Sequence, residues 1–354
     1  MAHDMNAARA DAPPASMDRG RRRWVLGAAL GAGFTAWPLV SIARGEPARL
    51  RASRTLMGTR VDIAAMAEDA ALLRPALDAA FARMALLVDM MSHYTATSRL
   101  AAVNHAAGLQ AVAVPPELMQ VLAMGQAMSR RSGGAFDVTV GSVGRWHFDP
   151  RSPSMPEHAY IARHLPVVDY RQLVLDARAG TARLTRRGMR IDPGGIAKLY
   201  ILAAGLETLR ASGLETALVN GGGDVVAMTA AAARPWRVGI RDPHRPDGLI
   251  GALSVRHGFV ASSGDYERCF VRDGHRYHHV LNPKTGYPAQ GPHGVTLVGT
   301  DLAALNGLGA ATMVLDTAAG RELLRSTPGV EGLIASREGA LWITPALRSR
   351  LAAA

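Results

Sequence analysis

Four short glycine-rich or polar turns punctuate the chain: "LMGT" (56–59), "GGAFDVTVG" (133–141), "IDPGGIAK" (191–198) and "NGGGD" (220–224). They constrain the fold strongly, because each asks the backbone to reverse or to approach something closely. The reading places each one after a strand. Backbone N–H groups in such turns can point at an anion. "DPGGIAK" also opens a helix, whose N-terminus favours negative charge. None has the G-x-x-x-x-G-K-[ST] spacing of a P-loop, and none has G-x-G-x-x-G. Taken singly, each is equally well an ordinary turn.

Between these turns the apolar periodicity changes repeatedly. Residues 54–67 read as a strand, alternating at Val61, Ile63 and Ala65. Residues 68–91 have helical spacing with Pro75 in the first turns, and 115–134 form a helix opened by prolines and closed by glycines. Short strands follow over 166–192, a helix over 193–213, and a strand–turn–strand over 216–228. Strands then dominate: 236–240, 249–256, 258–263, a hairpin over 266–281 turned at Asp273-Gly274, and 295–299. Helices at 301–315 and 317–325 and a last hairpin (331–336, 340–344) complete the chain. This order predicts an α+β fold, not a doubly wound sheet.

Of the 354 residues 48% are hydrophobic and 19% charged, which suits a globular protein with a sizeable core. The formal charge is +11, of which residues 1–43, with five Arg and three Asp, hold +2 and the remainder +9. That charge is scattered, with no block of like sign, so no nucleic-acid partner is expected. A preference for anionic ligands is. Cys269 is the one cysteine, which excludes an internal disulfide and a multi-cysteine zinc site.

Residues 1–43 read as an export signal. Arg21, Arg22 and Arg23 precede a Gly/Ala-rich apolar run from Trp24 to Val40, and Ser41-Ile42-Ala43 offers a cleavage site. "RRWVL" resembles a twin-arginine signal. The expectation is therefore a periplasmic mature domain over 44–354 with no membrane anchor left in place. The competing reading is an uncleaved anchor.

Several side chains in and beside the turns could carry chemistry. Asp137, Asp192 and Asp224 could hold ribose hydroxyls, a ring edge or a metal. Tyr94 and Tyr200 could stack on a flat ring, or simply fill a core. His279, in "RYHHVLNPKTGYP" (276–288), could be a general base near neutral pH. That stretch presents His279, Asn282, Lys284 and Thr285 together.

The ordered set is more specific than its parts. "LMGTRVDI", "MSHYTATSRLAAVN", "GAFDVTVGSVGRWHF", "IDPGGIAKLY", "LVNGGGDV", "WRVGIRDP", "ASSGDYERCFVRDGHRYHHVLNPKTGYP" and "VTLVGTDLAALNGLGAATMVL" resemble the ApbE family of FAD:protein FMN transferases, NosX-like proteins included. The resemblance spans about residues 51–345. It implies an α+β fold of mostly antiparallel sheets with packed helices and a cleft for FAD. It implies a magnesium ion at the pyrophosphate, and transfer of FMN to a Ser or Thr of a redox protein with release of AMP. Carried over by motif, Met57 and Tyr94 contact the flavin, and Ala135, Phe136 and Asp137 line the nucleotide. Asp192 and Lys198 lie near it, and His279 assists the incoming hydroxyl.

The chain departs from the family at telling places. Asn282 stands for Asp, Leu199 for Gly, and Ala203 for a frequent Asp. The family's metal pair, an Asp and a Thr one helical turn apart, falls on Asn306 and Ala310, with a main-chain ligand near Gly195. Magnesium prefers charged oxygens, so its binding should be weak or altered. Three readings follow: a transferase with a changed metal site, a relative that binds FAD without transferring FMN, or a structural accessory of a periplasmic redox complex.

Overall fold

The computed structural model describes residues 47–245 and 247–353. The export signal lies outside the described residues. No helix among them is long and apolar enough to cross a membrane.

Fifteen strands are present among the described residues: β1 (Ala48–Leu56), β2 (Thr59–Ala67), β3 (Val112–Ala113), β4 (Leu173–Asp176), β5 (Thr181–Leu184), β6 (Thr216–Gly221), β7 (Asp224–Met228), β8 (Trp236–Arg241), β9 (Leu249–Val255), β10 (Gly258–Gly264), β11 (Cys269–Arg272), β12 (His275–His278), β13 (Gly294–Gly299), β14 (Val330–Ala335) and β15 (Leu341–Ile343). Eight of them form one sheet in the order β1-β2-β6-β7-β10-β13-β14-β15, antiparallel throughout. The helices are α1 (Leu73–Met91), α2 (Arg99–His105), α3 (Pro116–Arg131), α4 (His158–His164), α5 (Ala197–Ala211), α6 (Leu302–Leu305), α7 (Leu308–Val314), α8 (Thr317–Arg325) and α9 (Pro345–Arg350). The α+β expectation holds.

The central strands are apolar on both faces because both are covered. Along β7, Val226 and Met228 enter the large core with residues of α1, α3 and α5, while Val225 and Ala227 enter a second core built from β8, β9 and Leu347 of α9. Period-2 alternation is therefore hidden in the sequence: both sets of positions are hydrophobic. A small aromatic cluster, Val143, Trp146, Phe148, Ile161 and Phe270, lies under the 265–293 excursion.

Local details correct four readings. Residues 54–67 are a hairpin, not a strand: Met57 and Gly58 both have positive φ (54° and 69°) and reverse the chain between β1 and β2. Only "LMGT" and "NGGGD" directly follow strands; the 133–141 turn follows α3, and β5 ends at Leu184, well before 191–198. Residues 165–167 and 170–172 are 3-10 turns. The predicted helix 301–315 is broken at Asn306-Gly307. Gly307 takes φ 82°, and a Cβ there would lie 3.0 Å from Met128 Cγ. Close packing against α3 thus coincides with the residue that can adopt the left-handed break.

The register puts several of these features on one rim of the sheet. Gly221 pairs with Val61, Asp224 with Gly221, Gly264 with Gly294, and Gly294 with Ala335. The Met57-Gly58 turn, the Gly222-Gly223 turn and the start of the 265–293 excursion therefore share that rim.

Candidate functional site

Two polar side-chain contacts, one of them a Lys–Asp ion pair, frame the rim. Lys198, in the first turn of α5, places its Nζ 2.9 Å from Asp224 Oδ2, and the Ser262 N–H donates to Asp224 Oδ1 at 2.9 Å. The second pair joins His93 Nδ1 to Asp192 Oδ1 at 3.1 Å, and Gly194 N–H donates to the same oxygen at 2.8 Å. Burial pushes the Asp192 carboxyl toward protonation, but the His93 ring, the Gly194 N–H and the Arg268 charge outweigh it and hold it below the usual range. Tyr94 follows His93, with its ring edge-on at 3.9 Å, and is 58% exposed, an aromatic face open to a planar ligand.

His279 follows β12, and its N–H donates to Arg268 O at 3.1 Å. Its Nδ1 is buried and has no hydrogen-bond partner among the described residues. Burial first, then the nearby Arg268, His278 and Lys198, push its pKa down to about 4. The imidazole is therefore neutral at pH 7 and can accept a proton. The side chain of its neighbour is anchored: His278 Nε2 is 2.8 Å from Ala289 O.

The 282–287 turn closes on itself. Asn282 Oδ1 accepts the Lys284 N–H (2.9 Å), and Asn282 O accepts those of Thr285 (3.1 Å) and Gly286 (2.8 Å). An amide oxygen serves this role as well as a carboxylate does, so the departure at 282 leaves the turn intact. The same bonds occupy the N–H groups that a phosphate would need. Lys284 is left as the turn's exposed cation.

Asp137 is also engaged within the protein. Its Oδ1 accepts from Thr139 N (2.8 Å) and Thr139 Oγ1 (2.7 Å), and its Oδ2 from Tyr170 N (2.9 Å). It is 5% exposed. Burial raises its pKa and these bonds lower it, with the net direction upward. Its carboxylate braces the 135–139 turn. Ala135 and Phe136 are buried beside it. Met57, at the β1–β2 turn, holds a left-handed conformation that costs a non-glycine residue about 1 kcal/mol or more.

The three positions assigned to a metal do not form a magnesium site. Gly195 and Ala310 do meet: a Cβ on Gly195 would lie 3.6 Å from Ala310 Cβ and 2.8 Å from Phe136 Cε2. Ala310, however, offers only a methyl. Asn306 is 1% exposed, caps α6, and donates its side-chain amide to Met124 Sδ at 3.7 Å. It sits one α-helix away from Ala310, not one turn along the same helix. Arg131 donates to Ala304 O, bringing a positive charge to this segment. No cluster of three or more His, Cys, Asp or Glu able to hold a metal occurs among the described residues. Magnesium sites are usually anchored by one or two carboxylates, and these residues supply none.

Sequence reasoning missed His93 and Arg268. His93 stands next to the nominated Tyr94, but a contact across the chain to Asp192 leaves no local signal. Tyr200, by contrast, bonds Gln120 Oε1 at 2.7 Å and joins α5 to α3.

Comparison with known proteins identifies the family. The ApbE family profile matches residues 57–334. The chain belongs to the ApbE family. Among curated ApbE-type relatives, the FAD:protein FMN transferase of Treponema pallidum (strain Nichols) is 34% identical over 283 residues, covering 75% of this chain and 78% of that protein. That of Rhodobacter capsulatus is 32% identical over 267 residues, covering 74% of this chain and 50% of that protein. The crystal structure of the ApbE protein from Thermotoga maritima superposes with a TM-score of 0.76 at 29% identity, covering 86% of this chain and 99% of that one. The flavin transferase ApbE from Vibrio cholerae, at 23% identity and TM-score 0.73, supports the ApbE fold alone.

Proposed function

We propose that this chain is an FAD:protein FMN transferase that attaches FMN through a phosphoester to a Ser or Thr hydroxyl of a redox protein. Family membership supports the reaction class, and His279 is the observation that carries the chemistry. A neutral imidazole with a free, buried Nδ1 stands beside Lys198 and Arg268 on the rim.

In the proposed step the acceptor oxygen attacks the FMN-side phosphorus of FAD. The new P–O bond forms as the P–O bond to AMP breaks. His279 takes the hydroxyl proton, and AMP leaves as the second product. Tyr94 and Met57 bracket the flavin. The 135–137 backbone, Asp192 and Lys198 hold the nucleotide. No step is assigned to a divalent ion, since the residues at 195, 306 and 310 do not fit one. Export by the twin-arginine route to the periplasm belongs to the same proposal and rests on residues 1–43.

A second reading is favoured by one observation, the methyl and the buried amide at 310 and 306. It describes a protein that binds FAD and does not transfer FMN. The deciding experiment mixes residues 44–354 with FAD and a periplasmic flavin-acceptor domain. Flavin fluorescence that stays with the acceptor through denaturing electrophoresis supports transfer. Measurable FAD binding without covalent fluorescence, beside an active control transferase, selects the second reading.

A further inference from the structure

Three protein cations, Lys198, Arg145 and Arg268, lie close to the His93–Asp192 and Lys198–Asp224 contacts. Arg145 Nη2 reaches the His93 carbonyl at 3.3 Å, and Lys198 is tied to Asp224. Arg268 differs from both. Its carbonyl accepts from the His279 N–H, its side chain is exposed, and its guanidinium has no hydrogen bond or ion pair among the described residues. Its backbone contact sets it beside His279, and its charge acts on both Asp192 and His279.

We propose that this chain recognises the anionic part of its flavin donor with protein cations, Arg268 foremost, and not with a divalent ion held at positions 306 and 310. The inference rests on the flavin-donor reading above and deepens it. A planar guanidinium forks onto two phosphate oxygens and keeps its charge at any working pH. It needs none of the ligands that Asn306 and Ala310 fail to supply. The Asn306 amide is turned to Met124 Sδ and Ala310 offers only a methyl near Gly195, so neither position presents a charged oxygen.

The test is a titration of residues 44–354 with FAD and, separately, with riboflavin, which lacks phosphate. Each is followed by quenching of flavin fluorescence, in EDTA and in excess magnesium. FAD affinity should agree within about twofold between the two buffers. Arg268→Gln should weaken FAD by roughly tenfold to a hundredfold and leave riboflavin unchanged, with Arg268→Lys recovering part of the loss. A merely structural role would move both ligands together, and unchanged melting temperatures check that the variants are folded. FAD affinity that collapses in EDTA overturns the inference, as does an Arg268→Gln variant that binds FAD normally, and both leave the flavin reading standing. Failure to bind FAD in either buffer overturns the flavin reading and this inference with it.

Discussion

Lys198 and Asp224 meet at 2.9 Å and join the first turn of α5 to the β6–β7 turn. The pair is asymmetric: Asp224 is 8% exposed at its side chain and Lys198 33%. Removing the lysine leaves a buried carboxylate with the Ser262 N–H alone. Lys198→Met should therefore cost about 2 kcal/mol, below the full penalty of breaking a buried pair because the lysine is partly solvated. Asp224→Asn should cost less, since an amide oxygen still accepts from Ser262. Urea unfolding of the two variants gives the order; the reverse order would show that the pair does not organise this rim.

Asp137 is a brace by its bonding. Asp137→Ala strands the Thr139 N–H, the Thr139 hydroxyl and the Tyr170 N–H inside the protein. A loss of about 3 kcal/mol is expected, with Asp137→Asn losing less. If Asp137→Ala instead keeps its stability and loses only FAD affinity, the carboxylate is a ligand contact.

His279 separates binding from transfer. His279→Gln should keep FAD affinity and reduce transfer by about a hundredfold or more. Its pH signature has a defined sign. The folded pKa, about 4, lies below the ordinary 6.5, so between those values the unfolded chain binds more protons than the native one. Stability falls as pH drops from 6.5 toward 4, by roughly 3 kcal/mol as an upper bound for this group. His279→Gln should be less acid-sensitive in that window, with a residual slope from His278, whose pKa burial also lowers. Melting temperatures at a series of pH values measure both.

Rebuilding the metal positions tests why the ion does not fit. Asn306→Asp alone buries a carboxylate beside Met124 and should destabilise the protein by about 2 kcal/mol. Adding Ala310→Thr should produce a magnesium-dependent rise in melting temperature that the native chain lacks. No such rise would mean that the broken helix at Gly307, and not the missing oxygens, keeps the ion out.

The local grammar was legible without coordinates. Asp273-Gly274 turned its hairpin as read, the helix over 116–131 began at prolines, and the strands Trp236–Arg241 and Leu249–Val255 fell within a residue of the bounds read from the sequence. These features depend on φ, capping and side-chain period, which a few neighbouring residues set between them. Motif order likewise pointed to the ApbE family, because it records many positions at once. Tertiary structure decided what single side chains do. Asp137 and Asp192 look alike beside their glycines, yet one braces a turn and the other pairs with His93, a residue about a hundred positions away in sequence. Asn306 and Ala310 lie four residues apart, and the left-handed backbone at Gly307, where a side chain would crowd Met128, shows that no single helix carries both. Burial and long-range pairing are properties of the folded chain as a whole, so spacing nominates a residue and its surroundings assign its work.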